Sequence, residues 1–345
     1  MKTTPIPPVR YLVLWLTTGC NLRCAYCYRG DPPSRSMSRE VARASLSLAA
    51  SSGFPFHVQM AGGEPTLEPK LIEAVGRTVR EASWPATMAV QTNGTLIDKH
   101  LIDICLRYSI SLGISLDGPP DAQERIRGRA GATFRALELL SEAEVPVRIT
   151  TVLSALNIMD LWRLILSLAP YVNVRGVAID PVVLKGKASD QDIMIPSKKD
   201  LSTGVADMLA MLREVNRLRS SPIRWRELDS VINALGGDGK RKNYCHACAG
   251  ESLAVHPDGT VYPCGQTIGD PAMEAGSVDH VDWERLRGIF RETGPSGECP
   301  ECSLRNRCPG DCPSRMHYNE NYTSNQTMCL IYRTILECLE RRGRP

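Results

Sequence analysis

Hydrophobic positions over the first 180 residues switch back and forth between two periods. Tyr11 to Thr17 is a nearly unbroken apolar run and predicts a strand; Arg39 to Ala50 repeats at helical spacing. The alternation continues: strand His57 to Ala61, helix Pro69 to Glu81, strand Ala86 to Gln91, helix Asp98 to Arg107, strand Ser109 to Leu116, helix Ala132 to Ser141. Strand Val147 to Leu153, helix Met159 to Leu168 and strand Val172 to Ile179 complete it. Short, branched, apolar strands joined by helices predict a mainly parallel sheet.

Polar or glycine-rich tips follow the strands: GGEP after the second, TNG after the third, DGPP after the fourth. Six units in about 180 residues fit an open barrel better than an eight-unit closed one. The expected fold is α/β, a partial (β/α)6 barrel, with ligands at the C-terminal ends of the strands. A doubly wound sheet has the same periodicity and stays open as an alternative. Residues 181–244 read as a helical bridging segment, with helices over Leu201 to Arg217 and Trp225 to Ala234. Residues 245–345 read as a loop-rich C-terminal domain, with many Gly and Pro and little strand or helix before Asn325.

Composition narrows the chemistry. Lys plus Arg is 41 against 38 Asp plus Glu, and aromatic residues are 6% of the chain. Near-neutral charge and scarce stacking groups give no support to a nucleic-acid partner. The longest apolar runs are shorter than a membrane span, and MKTTPIPPVR has no apolar signal core. A cytoplasmic protein, without a membrane partner, is expected. Its 13 cysteines then stand in reducing surroundings where disulfides are not the default, and read first as metal ligands.

Cys20, Cys24 and Cys27 lie in CNLRCAYC, directly after the first strand. Three thiolates on one short loop suit a 4Fe-4S cluster, and the missing fourth leaves one iron open to a small molecule. No His lies between Cys27 and His57 to complete a zinc site. CNLRCAYCY resembles the signature of radical S-adenosylmethionine enzymes, and the resemblance covers residues 10–180 as a whole. In that family the open iron is chelated by the amino and carboxylate groups of S-adenosylmethionine. Cleavage of the cofactor then gives a 5′-deoxyadenosyl radical that abstracts a hydrogen atom from substrate.

The resemblance implies roles for particular residues. AGGEP, containing Gly63 and Glu64, matches the second-strand motif, where backbone approaches the cofactor's amino group. Ser115 and Arg127 would meet the cofactor's carboxylate or ribose, and Tyr26 its adenine through backbone. Asn93 and Asp117, at the next strand ends, are further cofactor-contact candidates. Ordinary turn chemistry is the alternative for Ser115, Asp117 and Arg127, since Asp-Gly-Pro makes a good turn by itself.

Beyond residue 244 stand Cys245, Cys248, Cys264, Cys299, Cys302, Cys308, Cys312 and Cys329. Eight cysteines make two sets of four, the count for two fully ligated cubane clusters, and equally for two zinc sites. His246, His256 and His317 could join a mixed zinc site. The spacing resembles the SPASM extension of radical enzymes that modify peptides and proteins. That resemblance implies one auxiliary 4Fe-4S cluster on Cys245, Cys248, Cys264 and Cys312, and a second on Cys299, Cys302, Cys308 and Cys329. Cys105 and Cys338 are left as thiols in apolar helical contexts.

The expected function is oxidative modification of a peptide after hydrogen abstraction, ending in a thioether, carbon–carbon or ether crosslink. Formylglycine formation, as in anaerobic sulfatase maturases, is the alternative, with Asp180, Asp190 or Asp192 as candidate base. A zinc-stabilised scaffold is the non-enzymatic alternative. The expected partners are a peptide or protein substrate and a flavodoxin or ferredoxin as electron donor. Only 19 residues precede Cys20, too few for an N-terminal peptide-recognition domain, so any leader is expected to bind the barrel and auxiliary domain or a separate leader-binding protein.

Overall fold

In the computed structural model the described residues are 7–189, 194–236, 243–290, 302–305, 307–308, 310–319 and 327–341. They divide into two units, the first comprising Met1–Asn21, Arg29–Gly113 and Cys245–Thr293, the second Leu22–Tyr28, Ile114–Tyr244 and Gly294–Pro345.

The first unit is built on β1 (Tyr11–Thr17), whose run YLVLWLT is buried from Leu12 onward. A strand apolar at every position is one covered on both faces, as parallel strands are. β1 pairs in parallel with β2 (Phe56–Gly62) on one side, and β2 pairs in parallel with β3 (Ala86–Thr92). The crossovers are α1 (Arg39–Ser51), α2 (Pro69–Glu81) and α3 (Lys99–Tyr108). Ser38 caps α1 by accepting the Val41 N–H, and Asp98 caps α3 by accepting that of Leu101 at 2.8 Å. β4 (Ile110–Ser115) then runs from the first unit into residues of the second.

The second unit continues the repeat. α4 (Pro120–Ile126) and α5 (Ala130–Glu142) precede β5 (Val147–Leu153); α6 (Leu161–Ser167) leads to β6 (Val174–Pro181). α7 (Lys198–Leu218) packs against α6, and β7 (Arg224–Trp225) pairs in parallel with β6 before α8 (Arg226–Gly236). β5 and β6 are also parallel. The expected α/β class with mainly parallel strands is observed, and each unit's strands form an open run. α4 is additional to the expected elements: the DGPP tip is short, and Pro120 starts a helix at its first turn.

The larger departure lies after residue 244. β8 (Ser252–Val255) pairs in parallel with β1, and β9 (Val261–Tyr262) returns antiparallel to β8. The expectation of little regular structure there missed an apolar SLAV run followed by an Asp-Gly turn, an ordinary hairpin signal. Gly259 in that turn has φ of +92°. α9 (Trp283–Gly288) belongs to the first unit, while α10 (Pro313–Tyr318) and α11 (Thr327–Glu340) belong to the second, where α11 packs on α7 and α8. Among the described residues no helix is long and apolar enough to cross a membrane.

Candidate active site

Cys20 stands just beyond β1 in the first unit, and the backbone around it is tightly held. Gly62 has φ of +137°, and a Cβ there would lie 2.3 Å from the Thr17 carbonyl oxygen. A Cβ on Gly63 would lie 2.1 Å from the Gly19 oxygen. Both positions demand glycine because two backbones touch. The contact is sealed by Gly63 N–H to Thr17 O and Glu64 N–H to Gly19 O, each 2.8 Å. The close approach made by Gly63 is thus to the segment entering the cysteine loop.

Glu64 is 1% exposed and is the hub of this half. Its carboxylate accepts Thr66 N–H (3.1 Å), Thr66 Oγ1 (2.6 Å), Thr92 Oγ1 (2.6 Å) and Asn93 N–H (2.8 Å). Burial nevertheless holds its pKa above the ordinary carboxylate value, the donors only partly offsetting it. Asn93 donates from Nδ2 to Asn21 Oδ1 at 2.9 Å, and Asn21 donates to Thr95 Oγ1 at 2.8 Å. Asn21 follows Cys20 in the chain, so the ends of β2 and β3 clamp the residue beside the first thiol.

Cys24 and Cys27 belong to the second unit. Their loop carries Tyr26, which is 5% exposed and donates its hydroxyl to Asp117. Burial, foremost, keeps that hydroxyl protonated far above its usual range. Asp117 is fully buried and also takes Arg127 in a two-pronged ion pair (2.6 and 3.2 Å) and the Val152 N–H (2.9 Å). The Arg127 guanidinium lies 5.3 Å from the centre of the Tyr26 ring. Ala25 N–H bonds to Ile126 O (3.0 Å) and Lys187 N–H to Cys27 O (3.0 Å). Val182, Leu184, Ala188 and Met194 pack around Tyr26 as an apolar bed.

The residues expected at the site therefore separate into two kinds. Glu64, Asn93, Asp117 and Arg127 have their polar atoms engaged inside the protein, where they hold loops. Ser115, at the end of β4, and the thiols of Cys20, Cys24 and Cys27 are half-buried. Cys105, by contrast, is buried in α3. By the chemistry of their donor set, the half-buried thiols of Cys20, Cys24 and Cys27 suit an iron–sulfur cluster. Among the described residues no three His, Cys, Asp or Glu side chains converge as a ready-made metal-ion site.

The later cysteines also stand in ligand-like settings. Cys245 Sγ lies 3.8 Å from Cys248 Sγ in the first unit, where Cys264 precedes a short 3₁₀ turn. In the second unit Cys308 Sγ accepts the Gly310 N–H at 3.4 Å, Cys312 stands at the start of α10, and Cys329 lies on α11. Cys302 is described and half-buried; Cys299 lies outside the described residues, as do Asp190 and Asp192. Sequence reasoning overlooked a buried charged group nearby: Arg226 pairs with Asp180 (2.8 Å) and with Glu227, which is 1% exposed and accepts the Ile179 N–H (3.2 Å). Arg315, also overlooked, is 2% exposed and pairs with Asp311.

Comparison with known proteins agrees with this geometry. The model of the Radical SAM superfamily matches residues 16–168. An AdoMet-dependent heme synthase of Methanosarcina barkeri is 25% identical over 350 residues, 93% of this chain and 96% of that protein. A serine-type anaerobic sulfatase-maturating enzyme of Klebsiella aerogenes is 23% identical over 95% of this chain and 85% of its own. The antilisterial bacteriocin subtilosin biosynthesis protein AlbA of Bacillus subtilis is 29% identical over 79% of this chain and 58% of its own. Among solved structures, native anSMEcpe with bound AdoMet shares the fold over 97% of this chain and 98% of its own (TM-score 0.80, 20% identity). Streptococcus suis SuiB bound to precursor peptide SuiA does so over 92% of this chain and 74% of its own (TM-score 0.68, 15% identity). Residues 16–168 thus form a radical SAM domain, and this chain is an enzyme.

Proposed function

We propose that this radical SAM enzyme oxidises a peptide or protein substrate and closes a thioether, carbon–carbon or ether crosslink in it. The observation that carries the reading is the cysteine array from Cys245 to Cys329, on a chain similar along most of its length to a sulfatase-maturating enzyme and to a bacteriocin biosynthesis protein. S-adenosylmethionine and a cluster on Cys20, Cys24 and Cys27 supply, when bound, a 5′-deoxyadenosyl radical that takes a hydrogen atom from substrate. Closing a crosslink is a two-electron oxidation. One electron leaves with the hydrogen atom, and the other needs an acceptor within the protein. Cys245, Cys248, Cys264 and Cys312, and separately Cys299, Cys302, Cys308 and Cys329, would hold two auxiliary clusters able to accept it.

The remaining residues position and exclude. Gly62 and Gly63 keep the β2 end against the cysteine loop, Glu64 and Asn93 brace Asn21, and Asp117 with Arg127 braces Tyr26. Ser115 and the Tyr26 backbone would meet the cofactor. A flavodoxin or ferredoxin would deliver the reducing electron.

One observation favours formylglycine formation as a second reading. Asp180 ends β6; burial raises its carboxyl, but Arg226 and Arg315 outweigh burial and hold it below the ordinary value. It is thus a carboxylate, the form a proton acceptor must have, and its pairing with Arg226 makes it a weaker base than an unpaired one.

The test is anaerobic reconstitution followed by assay with S-adenosylmethionine and three substrates: a cysteine-rich precursor peptide, a sulfatase-derived peptide and a heme precursor. We expect about twelve irons per chain, 5′-deoxyadenosine formation, and loss of two hydrogen atoms from the precursor with no hydrazide-reactive aldehyde. An aldehyde on the sulfatase peptide would instead establish the second reading. Turnover of the heme precursor alone would refute a peptide substrate. Colourless protein with about two zinc ions would refute the enzyme's auxiliary clusters.

A further inference from the structure

In the second unit the ends of β6 and β7 carry a charged group with two outward corners. Arg226 opens α8 directly after β7, and Asp180 is the penultimate residue of β6. One edge of the Arg226 guanidinium is engaged within the protein. Nε donates to Glu227 Oε1 at 2.7 Å, and Nη2 donates to the Ile179 carbonyl oxygen at 2.7 Å and to Asp180 Oδ1 at 2.8 Å. Glu227 is 1% exposed, and its other oxygen accepts the Ile179 N–H at 3.2 Å. Three groups therefore fix the direction of the guanidinium. Its remaining nitrogen, Nη1, and Asp180 Oδ2 have no hydrogen-bond partner among the described residues. The Arg226 and Asp180 side chains are 45% and 33% exposed. A donor and an acceptor thus stand side by side at a strand end, both held and both partly exposed.

Asp180 lies on the face of the sheet that carries the cysteine loop. Side chains alternate between the two faces of a strand, and β5 and β6 both alternate buried with half-buried residues toward their ends. The half-buried set is Thr150 and Val152 on β5 with Ala178 and Asp180 on β6, Val152 lying opposite Asp180 in the register. Val152 packs against the apolar bed of Tyr26, which stands between Cys24 and Cys27. Strand ends on this side are where a βα fold receives its ligands. The two corners also select the ligand's chemistry. Two carboxylates already share the single guanidinium charge, so an anion gains little here. A neutral group that both donates and accepts fits better. A residue of an extended peptide presents its N–H and its C=O on one edge, as a strand does to an antiparallel partner.

We infer that Asp180 and Arg226 grip the main chain of an extended substrate segment, Asp180 Oδ2 accepting one of its N–H groups and Arg226 Nη1 donating to one of its carbonyl oxygens. This rests on the reading that the substrate is a peptide. Main-chain contacts hold a segment without regard to its side chains. The pair therefore sets where the peptide lies and leaves the choice of residue to the rest of the site. Both are substrate-binding residues, and Glu227 acts through Arg226 as the buried brace that fixes its direction. In this role Asp180 stays ionised and takes no proton.

The experiment measures binding apart from chemistry. Fluorescence anisotropy of the labelled cysteine-rich precursor peptide is followed on the reconstituted full chain with S-adenosylmethionine and no reductant. The variants are Asp180→Ala, Asp180→Asn, and Arg226→Gln together with Glu227→Gln, the last removing the buried carboxylate that Arg226→Gln alone would orphan. Loss of a hydrogen bond to a charged group should weaken binding about tenfold or more in Asp180→Ala and in the paired variant. Iron content should not change, and kcat at saturating peptide should stay close to that of the parent. Asp180→Asn keeps one acceptor oxygen for two claimants and should lie between. Peptides with a single amide replaced by an ester each lack one N–H. One ester position should weaken binding to the parent and leave binding to Asp180→Ala unaltered. Unchanged affinity in Asp180→Ala overturns the inference, and so does a collapse of kcat at unchanged affinity, the signature of a base. An ester series that weakens parent and variant alike overturns it too. So does a dependence on Asp180 that vanishes when the peptide's Lys and Arg are replaced by Gln, because the carboxylate would then read a basic side chain. If the parent binds neither this peptide nor the sulfatase-derived one, the peptide reading itself fails and the inference falls with it.

Discussion

Replacing Asp117 by Asn should loosen the loop that carries Cys24 and Cys27. The Asp117 side chain has no exposure, and its two oxygens serve Tyr26, Arg127 and the Val152 N–H. Removing its charge leaves the Arg127 guanidinium, 10% exposed, without compensation. Breaking a buried ion pair from one side costs about 3–5 kcal/mol. Tyr26→Phe removes only a hydrogen bond to a charged acceptor, about 1.5–3 kcal/mol. Against a total stability of about 5–15 kcal/mol the first change is severe and the second tolerable. Urea unfolding of the metal-free chain would rank them, and a cycle of Asp117→Asn, Arg127→Gln and the two together would measure the coupling of the ion pair. The two single changes should sum to more than the double, because the double leaves no orphaned charge. Iron analysis of reconstituted Tyr26→Phe should show selective loss from the first cluster, with about eight irons retained. A stability loss for Asp117→Asn within about 0.5 kcal/mol, the range of ordinary surface changes, would refute the reasoning.

Two further outcomes follow from the first unit. Gly63→Ala should abolish folding or cost several-fold more than Gly131→Ala, because the new methyl would overlap the Gly19 oxygen whereas at Gly131 its nearest neighbour is 3.5 Å away; thermal melts of the two variants decide it. Asp258 accepts the Thr260 N–H at 3.0 Å and pairs with His256; burial raises its carboxyl, but these contacts outweigh it and hold it at about 2. A depressed carboxyl stabilises the fold above the unfolded value of about 3.9 and loses that contribution as pH falls toward 2. Melts of Asp258→Asn and the parent should therefore differ at neutral pH and converge in acid; a gap that persists at pH 2 would refute the assignment.

Much of the architecture could be read before any coordinates. β1 is legible because YLVLWLT is apolar at every position, and α2 because Pro69 to Glu81 repeats at helical spacing. The hairpin of β8 and β9 was legible too, in SLAV and the Asp-Gly turn, but the glycine and cysteine content around it masked the pattern. The cysteine loop and the GGEP tip stand out by residue type. What single-sequence reading could not reach is partnership across elements. Glu64 meets Thr92 and Asn93, 28 and 29 residues away, only because the register of β2 on β3 brings the two strand ends level. Nothing in the spacing of Tyr26 and Asp117, 91 residues apart, announces their hydrogen bond. For the same reason the internal hydrogen bonds of Asp117, Asn93 and Glu64 could not be foreseen.

The two halves of the site use one physical device, each within its own unit. A carboxylate is buried at a strand end, and donors from the cysteine-bearing segment or its neighbours converge on it: Thr66, Thr92 and Asn93 on Glu64, and Tyr26, Arg127 and Val152 on Asp117. Burying a carboxylate is costly, and an apolar residue of similar volume would often serve stability as well or better. What an apolar residue cannot do is fix direction. Several hydrogen bonds converging on one group determine the orientation of each donor, and through Asn93 and Tyr26 that orientation reaches Asn21 and the loop between Cys24 and Cys27. Thiolates that must hold a cluster while leaving one iron accessible need that directional support more than they need added stability. The polar cost at Glu64 and Asp117 is therefore best understood as preorganisation of the cysteine loop, with stability supplied by the apolar strands beneath it.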